Sequence, residues 1–266
     1  MIRTAGALLT GGAAGPGRRA RWLTGAAGIA LLIALWEILT ATVGSRDIEW
    51  PTPWHIVTLI RSDGWSFYGP NVQTTTEEAL KGFLWGNLVA IALALLILLV
   101  PLIEKPLVQL SMISYCLPIV AIGPVLAVSF SGQQPKAILA GMAVFFTTLI
   151  GMLVGLRSAD RTSLDVIRAF GGGRYHMLVK VRLKASLPSL FGALRIAAPA
   201  AVLGAIIGEY LGGDSGLGVA MINSEQSLNI ARTWGIALVA TLLAGIGYAV
   251  VAVIGRLVTP WTRAAA

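Results

Sequence analysis

Residue types that could perform catalysis are few in this chain and form no known catalytic set. It has two histidines, His55 and His176, and one cysteine, Cys116. It lacks Gly-x-Ser-x-Gly, His-Glu-x-x-His and paired-cysteine motifs, and it lacks the Gly-x-x-x-x-Gly-Lys-Ser/Thr loop that cradles the phosphates of ATP. An intramembrane enzyme therefore has no motif in its support. We expect no catalytic residues, no metal site and no cofactor.

Polar chemistry is instead concentrated in a basic stretch, residues 157–188, between two long apolar runs. Its aspartates come first and its basic residues last, which suits the dipole of a helix that begins near 158–162. Gly171-Gly-Gly173 should end that helix. A second helix is predicted from Tyr175 to Leu183, with Pro188 starting the next apolar run. We expect a compact docking element; a solvated loop that only sets membrane topology is the alternative.

The composition around this stretch indicates a membrane protein. Hydrophobic residues make up 56% of the chain and charged residues 12%, and the mean hydropathy is +0.79. Soluble domains average about 25% charged residues. Apolar runs of about 20 residues, enough to cross a bilayer, predict an all-α polytopic helical bundle with about six transmembrane helices. The predicted spans are 22–43, 82–101, 107–130, 136–156, 190–211 and 233–257.

Two of these spans need comment. The first is too long for the apolar core of a signal peptide, so we interpret 22–43 as an uncleaved span preceded by a basic flexible tail, residues 1–21. The third contains Pro118 and Pro124, and proline is tolerated in a span where neighbouring helices compensate the freed carbonyls. We therefore expect the third span to be a bent helix that is buried in protein.

The distribution of lysine and arginine predicts the orientation. The formal net charge is +8, and most of the basic residues fall in the tail, in 157–188 and after the last span. The positive-inside rule places these segments in the cytoplasm, together with both termini. The high charge therefore indicates topology and no nucleic-acid partner. Residues 44–81 then form a non-cytoplasmic segment, whose Ile56 to Ile60 suit a short helix at the membrane interface.

Small and ionisable residues within the spans suggest further roles. Glycines recur four apart, as in Gly82/Gly86 and Gly204/Gly208, and such pairs let helices pack closely. Arg195 and Glu209 fall in the fifth predicted span, where a charge is costly and usually faces a cavity or a partner. They could line or gate a polar path. Alternatively, Arg195 could reach the cytoplasmic interface and Glu209 the outer one.

The basic stretch resembles the cytoplasmic loop of the permease subunits of bacterial ABC importers. That loop carries Glu-Ala-Ala, three residues, Gly, nine residues and Ile-x-Leu-Pro. Here Asp165 stands at the glutamate position, Gly171 at the glycine, and Val181 and Leu183 at the isoleucine and leucine, while Lys184 replaces the proline.

Resemblance over about residues 30–258 is strongest to the subfamily that imports nitrate, sulfonates, taurine and pyrimidine precursors. Its signatures occur in the same order as Trp36-Glu37, Pro51-Thr-Pro53, Leu117 to Pro124, Gly192-Ala-Leu-Arg195, Gly208-Glu209 and Gly216-Leu-Gly218.

This resemblance implies a MetI-like permease fold with a core over 82–258, in the bacterial plasma membrane and with a second permease copy, most simply a homodimer. It implies that Asp165, Arg168, Gly171, Val181 and Leu183 contact a separate ATPase subunit that binds the ATP. It also implies an extracytoplasmic solute-binding protein and a small, in part anionic, class of solutes. A self-contained secondary transporter or channel is the alternative, although no internal repeat supports it.

Overall fold

The computed structural model describes residues 18–43, 50–130, 132 and 134–263, and all regular structure in these residues is helical. Most of the predicted tail, residues 1–17, thus lies outside the described residues. The chain forms two units, 1–58 and 59–266. The helices, in chain order, are α1 (Arg18–Val43), α2 (Pro53–Leu99), α3 (Glu104–Cys116), α4 (Ile119–Ser129), α5 (Gln134–Arg157), α6 (Arg161–Ala169), α7 (Arg174–Met177), α8 (Leu183–Gly212), α9 (Leu217–Gln226) and α10 (Ile230–Val258).

The all-α polytopic fold predicted from the sequence is confirmed. Within the described residues, five helical runs are long and apolar enough to cross a membrane: α1, α2, α5, α10 and the run Arg174–Gly212 that contains α8. The segments Pro101–Cys116 and Ile119–Ser129 together add a sixth if they count as one span. The prediction of about six spans agrees with this number.

The second helix is longer than the predicted span 82–101. It begins at Pro53 and continues to Leu99, with a break at Gly64, whose φ of 67° is open to glycine at little cost. Residues 65–81 contain several threonines and glutamates, so their mean hydropathy is too low for them to be predicted as part of a membrane span. They nevertheless form helix, because Thr75 and Glu78 lie on one face that is buried by the rest of the bundle.

The predicted break at Pro188 is wrong. Helix continues from Arg174 through a wide π turn at Leu178–Arg182 into α8, and Pro188 lies inside α8. Proline removes one helical hydrogen bond, and packing of the helix on its neighbours compensates for that loss. The part of the basic stretch from Arg174 onward is therefore continuous with a membrane-spanning helix.

The third predicted span is bent as expected, by 93°. The bend lies at Leu117 and Pro118, which are both extended, as the residue before a proline prefers to be. The expected burial is wrong for the single chain, since Ser111 in α3 and Gly123 in α4 are the buried residues of these two helices. Most of the apolar surface of this bent pair is open.

Helices α2, α5 and α8 form the centre of the second unit, and α5 and α8 make its most extensive helix pair. The predicted close packing at glycines is confirmed. A Cβ atom at Gly204 would lie 2.7 Å from Ala140 Cα, and one at Gly208 would lie 2.8 Å from Lys136 Cα. Buried alanines and leucines of the three helices, among them Ala94, Leu149 and Leu190, fill the space between them.

Candidate functional site

The loop between α5 and α8 begins with a capped helix. Asp160 is extended, and its carboxylate accepts hydrogen bonds from the Ser163 backbone N–H (3.0 Å) and hydroxyl (3.1 Å). The backbone bond is the main reason why the pKa of the Asp160 carboxyl is below its ordinary value. An aspartate at this position satisfies an N–H that the first helical turn leaves free. The start of α6 is thus determined locally by its own sequence.

Gly171 ends the same helix by a conformation that favours glycine. Its φ is +75°. Its N–H donates to the Arg168 carbonyl (2.9 Å), and the Gly172 N–H donates to the Ile167 carbonyl (2.8 Å). These are the two hydrogen bonds of a Schellman motif, with Gly171 as its left-handed residue. A Cβ at Gly171 would meet no atom within 4 Å, so the backbone alone requires glycine here.

One side of this loop is apolar and open. Phe170 is 88% exposed, Tyr175 71% and Val166 50%, whereas Leu164 on the opposite face of α6 is buried. Asp165 and Arg168 pair at 2.6 Å on the open side, an exposed ion pair worth less than about 1 kcal/mol. We call Val166, Phe170 and Tyr175, together with Asp165 and Arg168, the loop surface. Large apolar side chains exposed on a structured, basic loop favour contact with another protein.

A second polar group lies within the bundle, where α2, α5 and α8 meet residues 213–218. We refer to these residues, the loop after α8 together with the first two residues of α9, as the turn 213–218. Thr75, Glu78, Lys136 and Glu209 are all buried. The Thr75 hydroxyl donates to Glu209 Oε1 (2.6 Å), and Lys136 Nζ lies 3.3 Å from Glu78 Oε1. We call these four residues the buried polar cluster.

The turn that follows α8 closes over this cluster. The Gly218 N–H donates to Glu209 Oε2 (2.6 Å), and the Leu217 N–H donates to the Thr75 hydroxyl (2.9 Å). A Cβ at Gly216 would overlap the Glu209 carboxylate. The glycines of this turn therefore allow a backbone donor to reach the buried Glu209 carboxylate, whose other oxygen accepts from Thr75, so both of its oxygens are hydrogen-bonded.

The family model for binding-protein-dependent transport system inner membrane components matches residues 82–264, which include the loop surface and Glu209. This match covers more than half of the chain. The chain belongs to this family. It is a permease of an ABC importer and a multi-pass membrane protein, as the resemblance seen in the sequence implies.

Curated relatives agree with this assignment. The permease is 29% identical to a probable ABC transporter permease protein of Haemophilus influenzae, over 76% of this chain and 82% of the relative. It is 24% identical to the formylaminopyrimidine transport permease ThiX of Halalkalibacterium halodurans, over 88% and 93%. It is 25% identical to the putative aliphatic sulfonates transport permease SsuC of Bacillus subtilis, over 93% and 87%.

The predicted coupling residues of the permease fall into two groups. Asp165, Arg168 and Gly171 are exposed on α6 and at its end. Val181 and Leu183 are half-buried on the helical run into α8, and Leu183 packs against the core cluster of α2, α5 and α8. The first group forms an outward surface, and the second attaches that surface to the bundle.

The two predicted path residues are not brought together. Arg195 and Glu209 are fourteen positions apart on α8, which corresponds to about 21 Å along a helix. Glu209 belongs to the buried polar cluster. Arg195 is half-buried, and its Nε is buried with no hydrogen-bond partner among the described residues.

Several residues of these sites were not predicted. From the sequence alone, Thr75, Glu78 and Lys136 are interpreted as residues of the outer surface or of loops. The spacing of Thr75 and Glu78, three apart and next to Ala79 and Gly82, is nevertheless consistent with a buried helical face. The exposed Phe170 could have been found as an aromatic residue directly before the glycines of a charged loop.

Proposed function

We propose that the loop surface is the site at which this permease binds a separate ATP-hydrolysing subunit and receives its conformational change. The observation that carries the proposal is the exposure of Phe170 and Tyr175 at the glycine turn that joins α6, capped at Asp160 and closed at Gly171, to the helical run from Arg174 into α8. A force applied at Tyr175 enters α8 along continuous helix, and the short turn 171–173 joins α6 to the same run, which suits rigid-body coupling.

The remaining parts of the transport unit follow from the family. We propose that the permease has no catalytic activity and no cofactor of its own, and that ATP is bound by the partner subunit. An extracytoplasmic binding protein supplies the solute at the outer face. Both termini and the loop surface lie in the cytoplasm, as the positive-inside rule predicts.

Variants at Phe170 test the coupling role. Phe170→Ser removes the largest exposed apolar side chain of the loop surface, so we expect at least a tenfold loss of uptake and reduced co-purification of the ATPase subunit, with normal membrane insertion. Leu102 is the matched control. It is also 88% exposed and lies in the loop before α3, on the same predicted side of the membrane. Leu102→Ser should leave uptake unchanged, and equal uptake in both variants would refute the proposal.

We further propose that two copies of the permease enclose the transport path along α8. This helix is packed on several sides, yet Ile196 (62% exposed), Leu203 (59%) and Gly192 form an open stripe along it. Arg195 lies at the edge of that stripe. Its guanidinium, whose buried Nε has no hydrogen-bond partner among the described residues, favours anions, and relatives are named as transporters of aliphatic sulfonates, nitrate and formylaminopyrimidine.

Arg195→Gln and a copy-number measurement test this path. The loss of a positive charge beside the path should lower uptake of an anionic solute several-fold, while the purified complex keeps two permease copies per particle by mass. Arg195→Lys, which retains the charge, should restore part of the uptake. Unchanged solute-stimulated ATP hydrolysis in Arg195→Gln would remove Arg195 from the path, and one permease copy per particle would remove the homodimer.

A further inference from the structure

The buried polar cluster has an unbalanced charge. Glu78 lies one helical turn from Thr75, whose hydroxyl donates to Glu209, so the two carboxylates share one buried site, and Lys136 is the one buried cation beside them among the described residues. Full ionisation would leave a net negative charge in a site that is almost completely closed to solvent. Burial of an uncompensated charge is among the most costly arrangements in a protein.

Hydrogen bonding is also unequal between the two carboxylates. Both oxygens of Glu209 accept a hydrogen bond, from the Thr75 hydroxyl and from the Gly218 N–H. Glu78 Oε1 lies 3.3 Å from Lys136 Nζ in an ion pair without hydrogen-bond geometry, and Glu78 Oε2 has no hydrogen-bond partner among the described residues, although both oxygens are buried. The ionisable group that α8 contributes to this cluster is the Glu209 carboxylate, which has no hydrogen to donate when it is ionised. A proton between the two carboxylates would supply the missing donor.

We propose that Glu78 and Glu209 share one proton, and that this proton holds the turn 213–218 closed over the cluster. With one proton, the cluster has one negative and one positive charge, and an oxygen of Glu78 gains a partner. Two carboxylates that share one buried site commonly hold one proton between them for the same reason. When the proton leaves, repulsion acts on Glu209, the residue whose oxygens fasten Gly218 and, through Thr75, Leu217.

The other charged groups around the cluster do not remove the imbalance. Lys81 on α2 is exposed, so water screens its effect. Asp214 of the turn is exposed and would add negative charge, and Glu225 of α9 accepts a hydrogen bond from Tyr210 (2.7 Å). Helix α4, which also packs on α5 and α8, has no ionisable side chain.

Glutamine at position 78 should reproduce the protonated state, because its carbonyl can face Lys136 while its amide donates to Glu209. Glu77 is the matched control, since it is the neighbouring glutamate and is exposed. The assembled transporter is prepared with wild-type, Glu78→Gln or Glu77→Gln permease. Infrared spectra record the carbonyl stretch of protonated carboxyl groups at neutral pH, and thermal unfolding is followed from neutral to alkaline pH.

We expect the protonated-carboxyl band in wild type and Glu77→Gln and its loss in Glu78→Gln. Wild type and Glu77→Gln should unfold at lower temperature as the pH rises and the shared proton is lost, whereas Glu78→Gln should keep its neutral-pH unfolding temperature. In wild type and Glu77→Gln, the backbone amides of Leu217 and Gly218 should lose their protection against hydrogen exchange as the pH rises. A band that persists in Glu78→Gln, or a wild type without the band, would overturn the proposal.

These readouts do not depend on uptake or on the ATPase contact, so they can fail while the proposed function stands. Glu209→Gln guards against an unspecific effect of removing charge. Its single amide oxygen can accept from the Gly218 N–H or from the Thr75 hydroxyl but not from both, so we expect a lower unfolding temperature already at neutral pH. If Glu78→Gln and Glu209→Gln lose stability equally at neutral pH, both carboxylates are ionised and no proton is shared.

Discussion

At the residue scale, Gly171 separates two reasons why a position in a contact surface can require glycine. A partner could press against it, or the backbone could need a left-handed conformation. The described structure supports the second reason, because φ is +75° and a Cβ would meet nothing within 4 Å. The glycine of the loop motif thus has a role that is complete without any partner.

Substitutions at Gly171 can measure this role. Asparagine accepts the left-handed region more readily than other non-glycine residues, whereas a β-branched valine does not. Gly171→Val should cost about 1–2 kcal/mol of loop stability, detected as faster hydrogen exchange in α6, and should lower uptake. Gly171→Asn should retain most of the uptake. If both variants lose uptake while α6 stays protected, the partner must touch Gly171 itself.

Residue patterns predicted the boundaries of α6 well because its signals are local. Asp160 lies at the N-cap and Gly171 at the left-handed position, and each acts within four residues of chain. The buried polar cluster could not be predicted in this way. The hydrogen bond from Thr75 to Glu209 joins positions 134 apart, and in the sequence Lys136 and Glu78 resemble ordinary charges of an outer loop.

At the element scale, the bundle depends on the close approach of α5 and α8. The glycines four apart predicted close helix packing without indicating which helices pair, and the sequence located α5 and α10 to within a few residues. It predicted a short helix at Ile56 to Ile60, which is the first part of α2, but it missed the helix over 65–81 and the unbroken helix from Arg174 to Gly212. Both errors have one physical cause. A search for long apolar runs detects helices that face lipid. It misses polar helical segments that are stabilised by tertiary contacts.

Alanine at Gly208 tests the α5–α8 contact. The new methyl group would lie 2.8 Å from Lys136 Cα, so we expect the permease to lose about 1–3 kcal/mol of stability through overpacking. Gly192 is on the same helix, and a Cβ there meets nothing within 4 Å. Gly192→Ala should be neutral or stabilising by up to about 1 kcal/mol. Chemical unfolding of the two variants compares them, and equal losses would contradict the packing described.

At the scale of the whole molecule, the loop surface and the turn 213–218 lie at opposite ends of α8. Tyr175 of the loop surface is on the helical run into α8, α6 meets that run at the glycine turn 171–173, and the turn 213–218 is tied to the last residues of α8 through Glu209. Helix α8 therefore connects the proposed ATPase contact with the turn 213–218, which we propose a shared proton holds closed. Such a connection permits a movement at one end to change the other, as a rigid element with two positions would.

The most direct test of this account is photo-crosslinking from position 170 in the assembled transporter. A photoreactive amino acid replaces Phe170 in one permease, Leu102 in a second and Leu228, an exposed residue between α9 and α10, in a third. We predict a crosslink to the ATP-hydrolysing subunit from position 170, little from position 102 and none from position 228, which the predicted topology places outside. Absence of the crosslink at position 170, or an equal yield at position 228, would contradict the account.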